Sequence, residues 1–189
     1  MHFTFVSGGC RSGKSAYAQR LAEQSLRKGH ALFVATAYVR DTEMLRRVET
    51  HKEARGPHWR VCEPAPRGAA ALVETLPEAA RGADVLLFDC LTLWVSAYME
   101  QQSPAPFAAK ESLQLFIDDC SGLLGVLRSL PCPVILVSNE LGMGLVPENA
   151  EARLFRDYAG TANRLAAAEA DYAVFMVSGL PLTLKGQRP

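Results

Sequence analysis

The sequence predicts an α/β fold, a mainly parallel sheet with helices on both faces. Two observations carry this. Apolar runs of strand length alternate with stretches of helical periodicity along all 189 residues. The runs are continuously apolar, as strands buried on both faces are. His2 to Ser7 is the first such strand, followed by a Gly-rich turn and a helix to about Arg27. Ala31 to Ala37 is the second. Asp41 or Thr42 caps a predicted helix to about Arg55, with Met44, Leu45 and Val48 as its apolar stripe. Trp59 to Glu63 reads as a short strand and Gly68 to Ala80 as a helix. Ala83 to Asp89 (ADVLLFD) is the clearest buried strand, with a helix soon after it.

The remaining elements repeat the pattern. Gln101 to Pro106 (QQSPAP) is linker-like but too short to separate domains, so residues 1–189 are expected to form one domain. A helix from about Ala108 to Ser129 puts Leu113, Phe116, Ile117, Cys120, Leu124 and Leu127 on one face. Pro133 to Ser138 is a strand, Asn139 to Asn149 a loop, and Ala150 to Ala168 a helix. Asp171 to Ser178 and Leu182 to Lys185 read as closing strands.

Composition narrows the class. Twenty Lys and Arg balance twenty Asp and Glu, which argues against a protein that coats nucleic acid or an acidic membrane. The longest strongly apolar stretch, Ala83 to Val95, is interrupted by Asp84 and Asp89, so no membrane span is expected. The N-terminus lacks a signal-peptide pattern. Five cysteines without a C-x-x-C pair suit a reducing cytoplasm better than a disulfide framework.

The strongest motif is Gly8-Gly9-Cys10-Arg11-Ser12-Gly13-Lys14-Ser15, which satisfies G-x-x-x-x-G-K-[ST]. Its glycines let successive N–H groups turn toward phosphate oxygens, and the following helix adds its positive end. Lys14 bridges the terminal phosphates in this reading, and the Ser15 hydroxyl ligates Mg²⁺. The motif follows an apolar strand and opens a helix, the context that confirms it. The predicted fold is therefore a P-loop NTPase (RecA-like) three-layer fold. Asp89, closing VLLFD, fits the acidic residue that holds Mg²⁺, or else caps the next helix. Asp84, at the start of that strand, reads as a surface turn residue.

No N-K-x-D base-reading motif exists, which excludes a Ras-type GTPase. Neutral composition disfavours a motor or helicase. A small-molecule kinase or nucleotidyltransferase is left. His51 lies seven residues after Met44 and three after Val48, so it continues the apolar stripe. A half-buried histidine satisfied by one hydrogen bond is the commoner reading of such spacing. A neutral imidazole can also attack phosphorus and store a nucleotidyl group. A metal site from His51, His58 and Cys62 matches no usual ligand spacing.

Several segments together resemble the bifunctional adenosylcobinamide kinase / adenosylcobinamide-phosphate guanylyltransferase family of cobalamin biosynthesis. They are SGGCRSGKS, Ala35 to Ala37, Asp41 to Met44 leading to Arg47 through Lys52, Trp59 and Glu63, and FDCLTLW. VSNELGMGLVPEN (Val137 to Asn149) and RLFRDYAGTANRLAA (Arg153 to Ala167) complete the resemblance, which covers nearly the whole chain. It implies phosphorylation of the aminopropanol hydroxyl of adenosylcobinamide by ATP or GTP. Transfer of GMP from GTP through a guanylyl-histidine follows, giving adenosylcobinamide-GDP. His51 matches the family's nucleophile and Lys52 the basic residue beside it. Nucleotide contacts then fall on Gly8 to Ser15, Ala35, Thr36, Ala37, Lys52, Glu53, Ala54, Arg55, Glu63 and Asp89, with Mg²⁺ on Ser15 and Asp89. The family commonly has Arg-Pro four and five residues after the histidine, whereas Arg55 here precedes Gly56-Pro57. A homotrimer is also implied. The alternative is a P-loop kinase for another small metabolite, without guanylyltransferase activity; a nucleotide-gated binding module is a third reading.

Residues 139 to 149 are expected to line the acceptor side or to be a structural connection. Arg153, Arg156 and Asp157 read as an exposed helix face or as trimer contacts.

Overall fold

The computed structural model describes residues 2–36, 56–62, 68–101 and 110–189. The predicted helix from Asp41 to Arg55 lies outside these residues. Seven strands form one sheet: β1 (Phe3–Gly8), β2 (His30–Ala35), β3 (Trp59–Cys62), β4 (Ala83–Asp89), β5 (Val134–Val137), β6 (Tyr172–Val177) and β7 (Leu180–Lys185). The described helices are α1 (Lys14–Ser25), α2 (Gly68–Ala79), α3 (Leu91–Gln101), α4 (Lys110–Ser129) and α5 (Ala150–Glu169). Strand order is β3-β2-β4-β5-β1-β6-β7, parallel except for β7, which runs antiparallel to β6.

Alternation along each strand divides the apolar side chains between two cores. Phe3, Phe5, Leu86, Phe88, Val134 and Leu136 join the core under α2, α3, α4 and α5. Val6, Val85, Leu87, Ile135 and Val137 join the second core, where α1 supplies Tyr17, Ala18, Leu21 and Ala22. Helices on both faces explain why these strands are continuously apolar. The first core is closed by aromatic contacts, with the Phe116 and Tyr158 rings 4.5 Å apart.

Most boundaries shift by a residue or two from the sequence reading, and two of the shifts have a visible cause. The α1 helix ends at Ser25, short of the expected Arg27, because the N–H groups of Arg27 and Gly29 turn to the Asp84 carboxylate, each at 2.7 Å. Asp84 is thus a staple between a turn and β4, more than a surface residue. The β7 strand begins at Leu180 because a two-residue Ser178-Gly179 turn, with φ 52° and 81°, joins it to β6. Two positive φ values match the twist of a tight hairpin.

Candidate active site

The parallel strands β1, β2, β4 and β5 deliver their C-terminal ends to one edge of the sheet, where open α/β sheets bind ligands. The predicted phosphate loop lies there, between β1 and α1. Gly8 is required by geometry: its φ is +150°, and an added Cβ would stand 2.4 Å from the Met176 carbonyl oxygen. Gly13, at φ 92°, turns the chain into α1 as its N-cap. Among the described residues no side chain caps this helix, and its first turn holds no acidic residue. The first N–H groups of α1 are thereby left for a ligand. The loop is braced from two sides. Glu140 N–H donates to the Gly8 carbonyl (2.9 Å), and Gly179 N–H donates to the Ser12 carbonyl (3.1 Å).

Lys14 is only 7% exposed, and its Nζ donates to the Gly9 carbonyl at 2.6 Å. Burial lowers its pKa below the ordinary lysine value; Cys90, Asp89 and Cys10 act in the opposite direction. A partly desolvated ammonium beside open backbone donors is strongly attractive to phosphate. The Ser12 hydroxyl is buried without a hydrogen-bond partner among the described residues, as is that of Ser138. Arg11 and Cys10 are exposed on the same loop.

Asp89 closes β4 in register with Ala35 of β2, and its charge acts on Lys14. The next residue is clamped: the Thr36 hydroxyl accepts from Cys90 N–H and donates to the Cys90 carbonyl, both at 2.8 Å. Burial, followed by the Asp89 charge, pushes the Cys90 thiol up to about 11, so it stays protonated and inert at neutral pH. No group of three or more His, Cys, Asp or Glu fit to hold a metal is found among the described residues. The predicted site residues Ala37, His51, Lys52, Glu53, Ala54, Arg55 and Glu63 lie outside the described residues.

The structure adds residues that the sequence reading passed over. Thr92, in the first turn of α3, accepts from Asn139 through both the backbone N–H (3.2 Å) and Nδ2 (3.0 Å). Asn163 of α5 donates from Nδ2 to the Asn139 carbonyl at 3.0 Å. Together they tie the ends of β4 and β5 to two helices. Arg153 lies on the exposed helix face and Arg156 is half-buried; both guanidinium groups also donate within the chain. Arg153 donates to the carbonyls of Pro147 and Glu148, and Arg156 to those of Gly142, Gly144 and Leu145.

The family model for cobinamide kinase / cobinamide phosphate guanyltransferase matches residues 4–184. The chain belongs to this family. It is 39% identical over 183 residues to the bifunctional adenosylcobalamin biosynthesis protein CobP of Pseudomonas aeruginosa, covering 96% of each chain. It is 35% identical over 185 residues to the bifunctional adenosylcobalamin biosynthesis protein CobU of Salmonella typhimurium, covering 95% of this chain and 98% of that one. Its fold is similar to a KaiC-like protein of Pyrococcus horikoshii OT3, with TM-score 0.52 and 11% identity over 92% of this chain and 70% of that one. That likeness agrees with the predicted α/β P-loop fold. Membership of the family makes the chain a kinase and guanylyltransferase, and no described helix is long and apolar enough to cross a membrane.

Proposed function

We propose that this chain phosphorylates adenosylcobinamide with a nucleoside triphosphate and then transfers GMP from GTP to that phosphate, giving adenosylcobinamide-GDP. The observation that carries the reading is the open phosphate loop with buried Lys14, in a chain of this family. In the kinase step the aminopropanol hydroxyl attacks the γ-phosphorus, its proton is lost, and the nucleoside diphosphate leaves. The loop N–H groups, Lys14 and Arg11 hold the phosphates in line and offset their charge. Mg²⁺, held by Ser15 and Asp89, supplies further charge neutralisation when bound.

In the second reaction an imidazole nitrogen of His51 attacks the α-phosphorus of GTP and pyrophosphate leaves. The phosphoramidate stores GMP until a phosphate oxygen of the corrinoid displaces histidine. Splitting the transfer lets the bulky corrinoid and GTP use the phosphate loop in turn. Contacts from Ala35, Thr36, Ala37, Lys52 to Arg55, and Glu63 belong to this reading. So do a single domain over 1–189, a cytoplasmic location and a homotrimer. Self-association is supported by β7, whose Leu180, Leu182 and Leu184 form an exposed row on an edge strand.

Incubation with α- or γ-labelled GTP tests the proposal. Acid-labile, alkali-stable label from the α position, absent in His51→Ala, is the expected result. Protein that takes no label from α-labelled GTP overturns the guanylyl-histidine, whatever its kinase activity.

A further inference from the structure

The loop between β5 and α5 exposes an apolar cluster. Met143, Leu145 and Val146 are 81%, 97% and 70% exposed, three apolar side chains in four positions. Such clusters on a folded surface mark contact sites more often than accidents. This loop is also held in shape. Arg156 donates to three of its carbonyls, through Nη2 to Gly142 (2.6 Å) and through Nη1 to Leu145 (3.0 Å) and Gly144 (3.3 Å). Arg153 secures Pro147 (3.0 Å) and Glu148 (2.6 Å), and the Glu140 carboxylate accepts from Gly142 N–H. The Asn149 side chain caps α5 at the far end of the loop. Five carbonyls are engaged by two guanidinium groups, so the apolar side chains are presented on a fixed backbone.

Position supplies the second observation. A cavity of about 410 Å³ has the phosphate loop, Gly9 to Ser12, along one side. Met143 lines another side, together with Glu140 and with Phe175, Met176, Val177 and Ser178 at the end of β6. Leu145 stands outside that cavity, so the apolar surface continues beyond it. We propose that Met143, Leu145 and Val146 form a platform that seats the corrinoid acceptor at the mouth of the phosphate loop, with Arg156 as the positioning residue. This rests on the function proposed above.

The chemistry selects this occupant. The triphosphate is bound by N–H groups and Lys14 and gains little from apolar walls. The acceptor must bring its hydroxyl in line with the γ-phosphorus, so it has to dock beside the loop. A corrinoid is a broad macrocycle with methyl-bearing faces and amide arms. It needs apolar contact on one side and water on the other, over a width greater than a purine base covers. An exposed platform reaching past the cavity matches that shape.

Steady-state kinetics of the full chain with adenosylcobinamide and GTP test the inference. Leu145→Asp and Met143→Asp are expected to raise KM for the corrinoid at least tenfold, while KM for GTP stays within twofold. Arg156→Gln is expected to raise the corrinoid KM about fivefold, and Arg156→Lys to recover part of it. Corrinoid KM within twofold of the parent in both Asp variants overturns the platform. So does a change in the mass of the assembly on sedimentation in those variants, which makes the patch an interface between copies. If the parent protein itself fails to turn over the corrinoid, the proposed function fails, a result separable from either outcome.

Discussion

The two edges of the sheet treat their polar groups in opposite ways. At the N-terminal edge, carboxylates are saturated by the chain itself. Asp84 accepts from the N–H groups of Arg27 and Gly29, and Asp171 accepts from Phe3 N–H (2.8 Å) and from the Arg128 guanidinium. At the C-terminal edge, among the described residues, the Ser12 and Ser138 hydroxyls are buried without partners, α1 has no side-chain cap, and the Lys14 ammonium donates to a loop carbonyl. The contrast extends to helix starts, since Asn149 caps α5 by accepting from Glu151 and Ala152 N–H. Satisfied groups stabilise; unsatisfied donors wait for a ligand and cost stability meanwhile.

Substitutions at the two edges therefore should separate activity from stability. Lys14→Ala is expected to lower the phosphorylation rate by about 10²–10³-fold, the usual effect of removing one preorganised charge donor. Its melting temperature is expected to hold or rise, because a buried ammonium is removed; a drop of several degrees would count against the comparison. Gly8→Ala strikes both properties, since its Cβ meets the Met176 carbonyl at 2.4 Å. A loss of about 1–3 kcal/mol in a urea titration is expected, with weakened GTP binding. Asp171→Ala is expected to cost about 1 kcal/mol, modest because the pair is partly solvated, and to leave turnover as it was.

The pH dependence sharpens the contrast with opposite signs. Asp171 has a folded pKa held well below the ordinary carboxylate value, first by the Arg128 hydrogen bond and then by Phe3 N–H. Its contribution is complete above the ordinary value of 3.8 and is lost as pH falls below it toward the folded pKa. Urea midpoints measured downward from pH 5 are expected to fall more for the parent than for Asp171→Ala. Lys14 has a folded pKa below the ordinary 10.5. Between those two values the folded protein gains stability with rising pH, whereas phosphate affinity falls as the ammonium is lost. Nucleotide titrations above neutrality are expected to show that decline, and Lys14→Ala to lack it.

The phosphate loop was legible because each motif residue does a local backbone job: Gly8 and Gly13 adopt positive φ, and Lys14 follows at the helix start. The two-sided burial of β4 was legible for a similar reason, since ADVLLFD leaves no polar face. What escaped was polar matching across distant segments. Thr92 and Asn139 are 47 residues apart, and Asn163 and Asn139 are 24 apart, with no periodicity to link them. The carbonyl partners of Arg156 were invisible to a reading as exposed helix face or trimer contact, because backbone carbonyls belong to every residue and no sequence pattern marks them. Asp84 was undervalued for the same reason.

The most direct test of the account follows the corrinoid itself. The protein is incubated with adenosylcobinamide, GTP and Mg²⁺, and the corrinoid products are resolved by mass over time. The phosphorylated corrinoid is expected first and its GDP derivative second, with His51→Ala stopping at the first. Accumulation of the phosphorylated corrinoid alone by the parent protein, with GTP in excess, would contradict it.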